Sequence, residues 1–284
     1  MNKNILVLGA SSGIGFELVK TLLTQNHTVY CGARRIEKLK PLEDLGASIF
    51  KVDVRNEADV NHIVETMINC EGGIDIVYAN AGYAIAGPVE ETTIEKAKEQ
   101  FETNVFGTAR VARAVLPHMR EQGFGRIIFT TSIAGRVSTS MNSWYSASKH
   151  ALNGLVKGLS QEVADFNIQV ITIEPGCVQT EFDGIQLKDM LDTSSLPAYS
   201  PIVKRSHEFL KRAYQNGSSP KTTVETMLKA GFSRSPKLSY RSTWDAKLMY
   251  LTQLKIGEGL MGQTFLKIIN SIKPGKNASK ASEY

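Results

Sequence analysis

The sequence predicts an α/β fold: one doubly wound parallel β-sheet with helices on both faces, a three-layer α/β/α arrangement in a single domain with a C-terminal extension. Three observations carry this prediction. Short, nearly continuous apolar runs rich in β-branched residues recur through the first 180 positions, as expected for parallel strands buried on both faces. Segments with helical apolar periodicity separate them. A glycine-rich turn joins the first run to the first helical segment. Strand and helix alternating in this way build a parallel sheet by crossover connections.

The elements follow in order. Ile5–Leu8 is the first strand, and Phe16, Val19, Leu22 and Leu23 repeat at helical spacing behind it. Thr28–Cys31 is the second strand, ending near Ala33, and Ile49–Val52 is the third. Val60, Ile63, Val64 and Met67 mark the helix that follows, and Ile74–Ala79 is the fourth strand. Long helices are expected at about 94–120 and 143–165, with Ile127–Thr131 as a strand between them and Val170–Ile173 as the next. After Thr180 the pattern changes. Residues 181–219 mix apolar side chains with Pro197, Pro201, Gly217 and serines, and read as a loop containing one or two helices. Leu238–Tyr240 reads as one further strand, and Leu248, Leu251, Leu254, Leu260, Met261, Phe265 and Ile268 indicate terminal helices. Lys273–Tyr284 is polar, carries Pro274 and Gly275, and reads as a frayed tail.

Composition narrows the function classes. The chain has 284 residues, 42% hydrophobic and 21% charged, the balance of a folded globular protein. A net charge of +5 on this length is mild; it does not argue for nucleic acid and suits a pocket for an anionic ligand. Cys31, Cys70 and Cys177 are far apart, so neither a disulfide framework nor a zinc site is expected. The five histidines are scattered and offer no metal-ligand cluster. A reducing, cytoplasmic location is the simplest expectation. The apolar run at the start is too short for a signal peptide, and no stretch of about 20 apolar residues predicts a membrane-spanning helix.

Gly9-Ala10-Ser11-Ser12-Gly13-Ile14-Gly15 lies between the first strand and the first helix. Glycine permits a tight turn and close approach of a pyrophosphate, and the helix N-terminus offers free N–H groups and partial positive charge. The spacing is GxxxGxG, not the GxGxxG of the general dinucleotide fingerprint. An acidic residue at the end of the second strand would hydrogen-bond an adenosine ribose 2′-hydroxyl. This chain has Arg34 and Arg35 there instead, and a guanidinium pairs with a 2′-phosphate. Ser11 is small, polar and close enough in sequence to assist.

Tyr145 and Lys149 are four apart in a helical stretch, so they share a helix face. A free phenol has a pKa of about 10, and lowering it by about three units needs roughly 4 kcal/mol. One cation at about 4 Å supplies about that much at an effective dielectric near 20, so Lys149, helped by an oxidised nicotinamide, is expected to make Tyr145 an acid/base. By itself such a pair carries little weight. Ser132 at the carboxyl end of a strand, where ligands bind in open sheets, and Asn104 in the long predicted helix give it company.

These residues resemble the short-chain dehydrogenase/reductases. The resemblance covers about residues 4–182 and rests on Gly9-x-x-x-Gly13-Ile14-Gly15, Asp53-Val54, Asn80-Ala81-Gly82, Asn104, Ser132, Tyr145-x-x-x-Lys149 and Pro175-Gly176-x-Val178-x-Thr180. Length and extension look like the subgroup of 17β-hydroxysteroid dehydrogenases and related ketoreductases. The resemblance implies a Rossmann fold and hydride transfer between NADP(H), less readily NAD(H), and a ketone or secondary alcohol. It implies Tyr145 as acid/base, Ser132 holding the substrate oxygen, Lys149 on the nicotinamide ribose, and Asn104 holding a water that links Lys149 to solvent. Asp53 would meet the adenine amino group beside Val54, Asn80-Ala81-Gly82 would line the cofactor, and Pro175, Gly176, Val178 and Thr180 would flank the nicotinamide. It also implies a homodimer or homotetramer through the two long helices. Leu8 and Ala79 stand where the family usually has threonine and asparagine, which puts local bracing in doubt.

The implied organisation is a cofactor-binding and catalytic core at 1–182, a substrate lid and C-terminal helices at 183–272, and a flexible tail at 273–284. Apolar residues in the lid point to a bulky substrate such as a steroid, a lipid-derived ketone or an aromatic ketone. Two alternatives stand beside a ketoreductase. A non-catalytic NADP(H)-binding sensor would have no need of Tyr145. A membrane-surface lipid ketone reductase would dock through the C-terminal helices and Lys267, Lys273, Lys276 and Lys280.

Overall fold

The structure, a computed structural model, describes residues 2–272; the tail expected at 273–284 lies outside the described residues. Seven parallel strands form one sheet in the order β3-β2-β1-β4-β5-β6-β7. They are β1 (Asn4–Leu8), β2 (Thr28–Ala33), β3 (Ser48–Lys51), β4 (Ile76–Ala79), β5 (Gly125–Thr130), β6 (Ile168–Glu174) and β7 (Ser239–Arg241). The central strands β1 and β4 are apolar and buried along almost their whole length, because helices cover both faces. The sheet order reverses between β1 and β4, and a crevice opens above the strand carboxyl ends at such a point.

One face of the sheet packs on α3 (Glu57–Glu71), α5 (Thr108–Gln122) and α6 (Ser143–Glu162). Val60, Ile63, Val64 and Met67, the periodic set read from sequence, are all buried there. The other face packs on α1 (Gly13–Thr24), α2 (Lys40–Glu43) and α9 (Pro220–Phe232), through Leu18, Val19, Leu22, Leu42, Val224 and Met227.

The long helix expected at 94–120 is divided. α4 (Ile94–Phe101) passes into a wide π-helical turn, Glu102–Gly107, before α5 begins. Two contacts account for the widening. Thr108 donates its hydroxyl to the Asn104 carbonyl at 2.8 Å, competing with the backbone ladder. Gly107 passes so close to Val54 that a Cβ there would stand 2.7 Å from a Val54 methyl. Single π turns of this kind favour functional sites.

Residues 181–219 form two helices, α7 (Glu181–Thr193) and α8 (Ser200–Gln215), sealed by Met190, Val203, Leu210 and Tyr214. The chain then returns to the sheet through α9 and β7, which pairs with β6. The final helix, α10 (Trp244–Ser271), breaks at Gly257, whose φ of 79° and ψ of 168° suit glycine alone.

Candidate active site

A cleft of about 440 Å³ runs across the strand carboxyl ends. At one end lies the glycine turn. Gly9 has φ 89°, and a Cβ there would stand 2.6 Å from the Ala81 backbone nitrogen. Gly13 has φ 56°, and a Cβ would stand 2.9 Å from the Thr180 methyl. Asn80 braces the turn, donating its amide to the Gly9 carbonyl at 3.0 Å and accepting from the Thr130 hydroxyl at 2.9 Å. That pair supplies bracing near the positions where Leu8 and Ala79 depart from the family pattern.

Ser12 is the N-cap of α1, yet its side chain makes no capping bond and the first turn holds no acid. By contrast, Asn56, Thr93, Thr180, Ser219 and Thr243 all cap their helices with a side-chain oxygen. The first N–H groups of α1 are thus left uncapped by protein, a donor set suited to phosphate. Gly15 departs from the sequence expectation. It does not line the cleft; its missing side chain lets α1 press on the Gly9 carbonyl oxygen and the Asn80 amide.

Ser11, Ser12, Gly13, Ile14, Arg34, Arg35, Asp53, Val54, Asn80, Ala81 and Gly82 line the cleft from this end. Arg35 reaches 3.4 Å to the Ser11 hydroxyl and 3.4 Å to one Glu181 carboxylate oxygen, and the other oxygen lies 3.8 Å from Lys38. The basic cluster is therefore larger than the sequence indicated, and Glu181 already partners part of it. Asp53 is held by Arg55 at 2.6 Å, and that guanidinium keeps its carboxyl below the usual range.

At the other end, Ser132 caps a short turn, Ile133–Gly135, after β5. Its hydroxyl accepts from the Ala134 N–H at 3.1 Å and donates to the Pro175 carbonyl at 3.3 Å. Tyr145 and Lys149 project from the first turns of α6 into the same space, and Tyr145 packs on Phe182 with ring centroids 5.9 Å apart. Pro175, Gly176, Val178 and Thr180 complete this wall.

In the cofactor-free protein, burial governs the electrostatics of this pair. Lys149 donates to the Thr130 carbonyl at 3.0 Å, and its ammonium stands 5.8 Å from the Tyr145 ring centre. Burial pushes the Tyr145 phenol up to about 12, with the Ser132 hydroxyl pulling it down and Cys177 adding to the rise. Burial lowers Lys149 to about 8. Desolvation is the largest cause at both residues. Asn104 is fully buried and sits behind the cleft wall. Its amide is spent on protein: the oxygen accepts from the Tyr83 N–H at 3.0 Å, and the nitrogen donates to the Tyr83 carbonyl at 2.9 Å and to Ser148 at 3.1 Å.

Between lid and core lies a buried polar chain that sequence reasoning missed. The Tyr214 hydroxyl donates to Gln186, and Gln186 donates to Asn142 at 2.6 Å. All three residues line the cleft. Gln186 and Tyr214 sit in helices whose sequence signal is apolar periodicity, so nothing local marked them. Around them Ile185, Phe209, Leu210, Met249 and Phe265 make the chamber mainly apolar. Among the described residues no cluster of acidic, histidine or cysteine side chains could hold a metal ion.

Comparison with known proteins agrees with this geometry. The short chain dehydrogenase family model matches residues 3–190. A 3-ketodihydrosphingosine reductase of Bacteroides thetaiotaomicron is 34% identical over 234 residues, 82% of this chain and 84% of that protein. A crystal structure of a short-chain dehydrogenase from Streptomyces avermitilis superposes with a TM-score of 0.80 at 28% identity, covering 96% of this chain and 98% of that one. The closed form of a serine dehydrogenase complexed with NADP+ superposes with a TM-score of 0.73 at 27% identity, covering 84% and 94%. The chain belongs to the short chain dehydrogenase family of oxidoreductases.

Proposed function

We propose that this oxidoreductase moves a hydride between NADP(H) and a ketone/secondary alcohol pair on a bulky, largely apolar substrate. The observation that carries the proposal is the continuity of the cleft: one cavity joins the uncapped N-terminus of α1 and the Arg34–Arg35 cluster to Ser132, Tyr145 and an apolar chamber under the lid. The residues fit the cofactor. The glycine turn has no room for side chains and lets a pyrophosphate approach, and Arg34 and Arg35 rather than an acid follow β2, where a 2′-phosphate would lie. Gly13, Ile14 and the uncapped N–H groups would hold the pyrophosphate, Arg34 and Arg35 with Ser11 the 2′-phosphate, Asp53 and Val54 the adenine, and Lys149 the nicotinamide ribose. The NADP+-bound serine dehydrogenase, a relative in fold, supports this choice.

When bound, the nicotinamide supplies the hydride. The protein supplies orientation and a proton. Ser132 and Tyr145 are neutral hydroxyl donors suited to a carbonyl oxygen that gains negative charge. Tyr145 hands over its phenolic proton in reduction and recovers it through Lys149. Asn104 fixes the backbone of Tyr83 and the hydroxyl of Ser148, and so shapes the wall next to Lys149. Phe182, Ile185, Phe209 and Leu210 exclude water and favour an apolar substrate. The Bacteroides relative, named for a lipid ketone, supports that class.

Exposed Phe106 and Leu155, on the π turn and on α6, support assembly of a homodimer or homotetramer through this side of the molecule. Three free cysteines fit a cytoplasmic setting. The test is titration with NADPH and NADH by nicotinamide fluorescence, followed by an NADPH-linked panel of steroid, lipid and aromatic ketones. Tyr145→Phe should lose turnover and keep NADPH affinity. Turnover by that variant, or binding that favours NADH, would overturn the assignment. NADPH binding with no turnover of any ketone would favour the sensor.

A further inference from the structure

The first half of α10, residues 244–256, is amphipathic in an unusual sense: both of its faces are apolar. The inward face is fully partnered. Ala246 is buried, Met249 lines the cleft, Tyr250 lies under the Arg241 guanidinium at 3.7 Å, and Gln253 donates to the Arg136 carbonyl at 2.6 Å. The outward face carries Trp244 at 61% exposure, Leu248 at 57%, Leu251 at 55% and Leu254 at 65%. At 3.6 residues per turn these four, with exposed Lys247 and Lys255, fall within an arc of about 120°. No acidic residue shares that arc; Asp245 points inward and is buried, and Glu258 follows only after the break at Gly257.

Four large apolar side chains on one exposed helix face need a partner. A second copy of the chain is a poor fit. Two copies meeting face to face would oppose Lys247 and Lys255 with like charges, and six residues are well short of the roughly 20–30 a side that a stable interface uses. An anionic bilayer surface fits each feature. Leucines and a tryptophan enter the boundary between headgroups and acyl chains, and lysines lay their stems along it and keep their ammonium groups at lipid phosphates and carboxylates. The net charge of +5 assists the approach. Met249, next to Leu248 and two residues before Leu251 but turned to the inward face, opens on the apolar chamber, so the docked helix stands between bilayer and cleft.

We infer that the outward face of α10, built from Trp244, Lys247, Leu248, Leu251, Leu254 and Lys255, docks the protein in the plane of an anionic lipid surface. The docking does not depend on which cofactor or ketone the cleft takes.

The experiment is co-sedimentation of the full-length protein with sucrose-loaded vesicles, either pure phosphatidylcholine or phosphatidylcholine with about a third phosphatidylserine. Each lysine near such a surface is worth about fivefold in binding, so the anionic vesicles should bind at least tenfold more tightly than the neutral ones. Leu248→Glu/Leu251→Glu should abolish sedimentation, and Lys247→Gln/Lys255→Gln should reduce it to the level on neutral vesicles. All four positions are exposed, so circular dichroism and NADPH binding should be unchanged. Absence of sedimentation with anionic vesicles overturns the inference, as does equal sedimentation of the leucine double variant. Light scattering is run beside it. If the leucine variant dissociates an oligomer of a protein that ignores vesicles, the face is a subunit interface and the inference is wrong.

Discussion

Glu181 competes for the cations proposed to bind the 2′-phosphate, and removing its charge should tighten NADPH binding. The carboxylate lies 3.4 Å from Arg35 and 3.8 Å from Lys38, with the three side chains 47–51% exposed. Pairs this exposed contribute about 0.2–1 kcal/mol each. A bound phosphate dianion has to displace them, so Glu181→Gln should return about 0.5–1 kcal/mol to binding, a two- to fivefold lower Kd for NADPH. NADH has no 2′-phosphate and its Kd should not move. The gain should shrink in high salt, because these charges are solvent-exposed. Glu181 also sits in the first turn of α7, where its charge complements the helix dipole, so the variant should lose about 0.3–1 kcal/mol of stability. Fluorescence titration with both cofactors, at low and high salt, reads the first effect and thermal melting the second. An unchanged Kd for NADPH, or an equal change for both cofactors, would refute the placement of the phosphate at Arg35.

Three further outcomes follow from the site. Arg34→Asp should move preference from NADP(H) towards NAD(H), measured as the ratio of the two Kd values; an unchanged ratio places the 2′-phosphate elsewhere. Lys149 in the cofactor-free protein titrates at about 8 against an ordinary value of 10.5, so above pH 8 the unfolded chain holds the extra proton and stability rises with pH. Cys31 and Cys177, raised to about 12 by burial, pull stability the other way above pH 9. The lysine contribution is therefore read between pH 8 and 9 as the difference in urea midpoint between wild type and Lys149→Met, and a flat difference contradicts it. Glu174 is wholly buried between Arg136 at 2.7 Å and Arg241 at 3.0 Å, so Glu174→Gln strands two cations and should cost about 3 kcal/mol in urea unfolding; a loss under 0.5 kcal/mol would mean that solvent already screens the triad.

Strands and their order of appearance were legible because a parallel strand buried on both faces writes its own signature. Ile5–Leu8 and Ile127–Thr131 could hardly be anything else, and the structure keeps both within a residue or two. The fourth strand starts at Ile76 rather than Ile74, since Asp75 turns its carboxylate to Lys3 and the Asn4 N–H. Residues that meet across the cleft were readable only through motif order. What stayed hidden depended on contacts between distant segments. Gln186 and Asn142 are 44 positions apart, and no local pattern pairs them. The π turn around Asn104 combines a local contact, the Thr108 hydroxyl on the Asn104 carbonyl, with a distant one, Val54 against Gly107. Tyr145 and Lys149 both reach the cleft, as their helix spacing indicated, but helix spacing says nothing about the desolvation that shifts both groups in the cofactor-free protein.

The loop 175–177, at the proposed nicotinamide end of the cleft, is tied from far along the chain. The Gly176 N–H donates to Thr243 at 2.9 Å and the Cys177 N–H to Asp245 at 2.8 Å, both at the start of α10. All strand neighbours are consecutive in sequence except β1 and β4. During synthesis, therefore, the sheet can assemble strand by strand as it emerges, while the reaction centre waits for residues some 67 positions later. Ribosome-bound chains stalled between β6 and α10 would carry the glycine turn and α6 with a slack 175–177 loop. The competent site would then be among the last parts of the molecule to acquire its shape, and the nascent protein would be held inactive until α10 has docked.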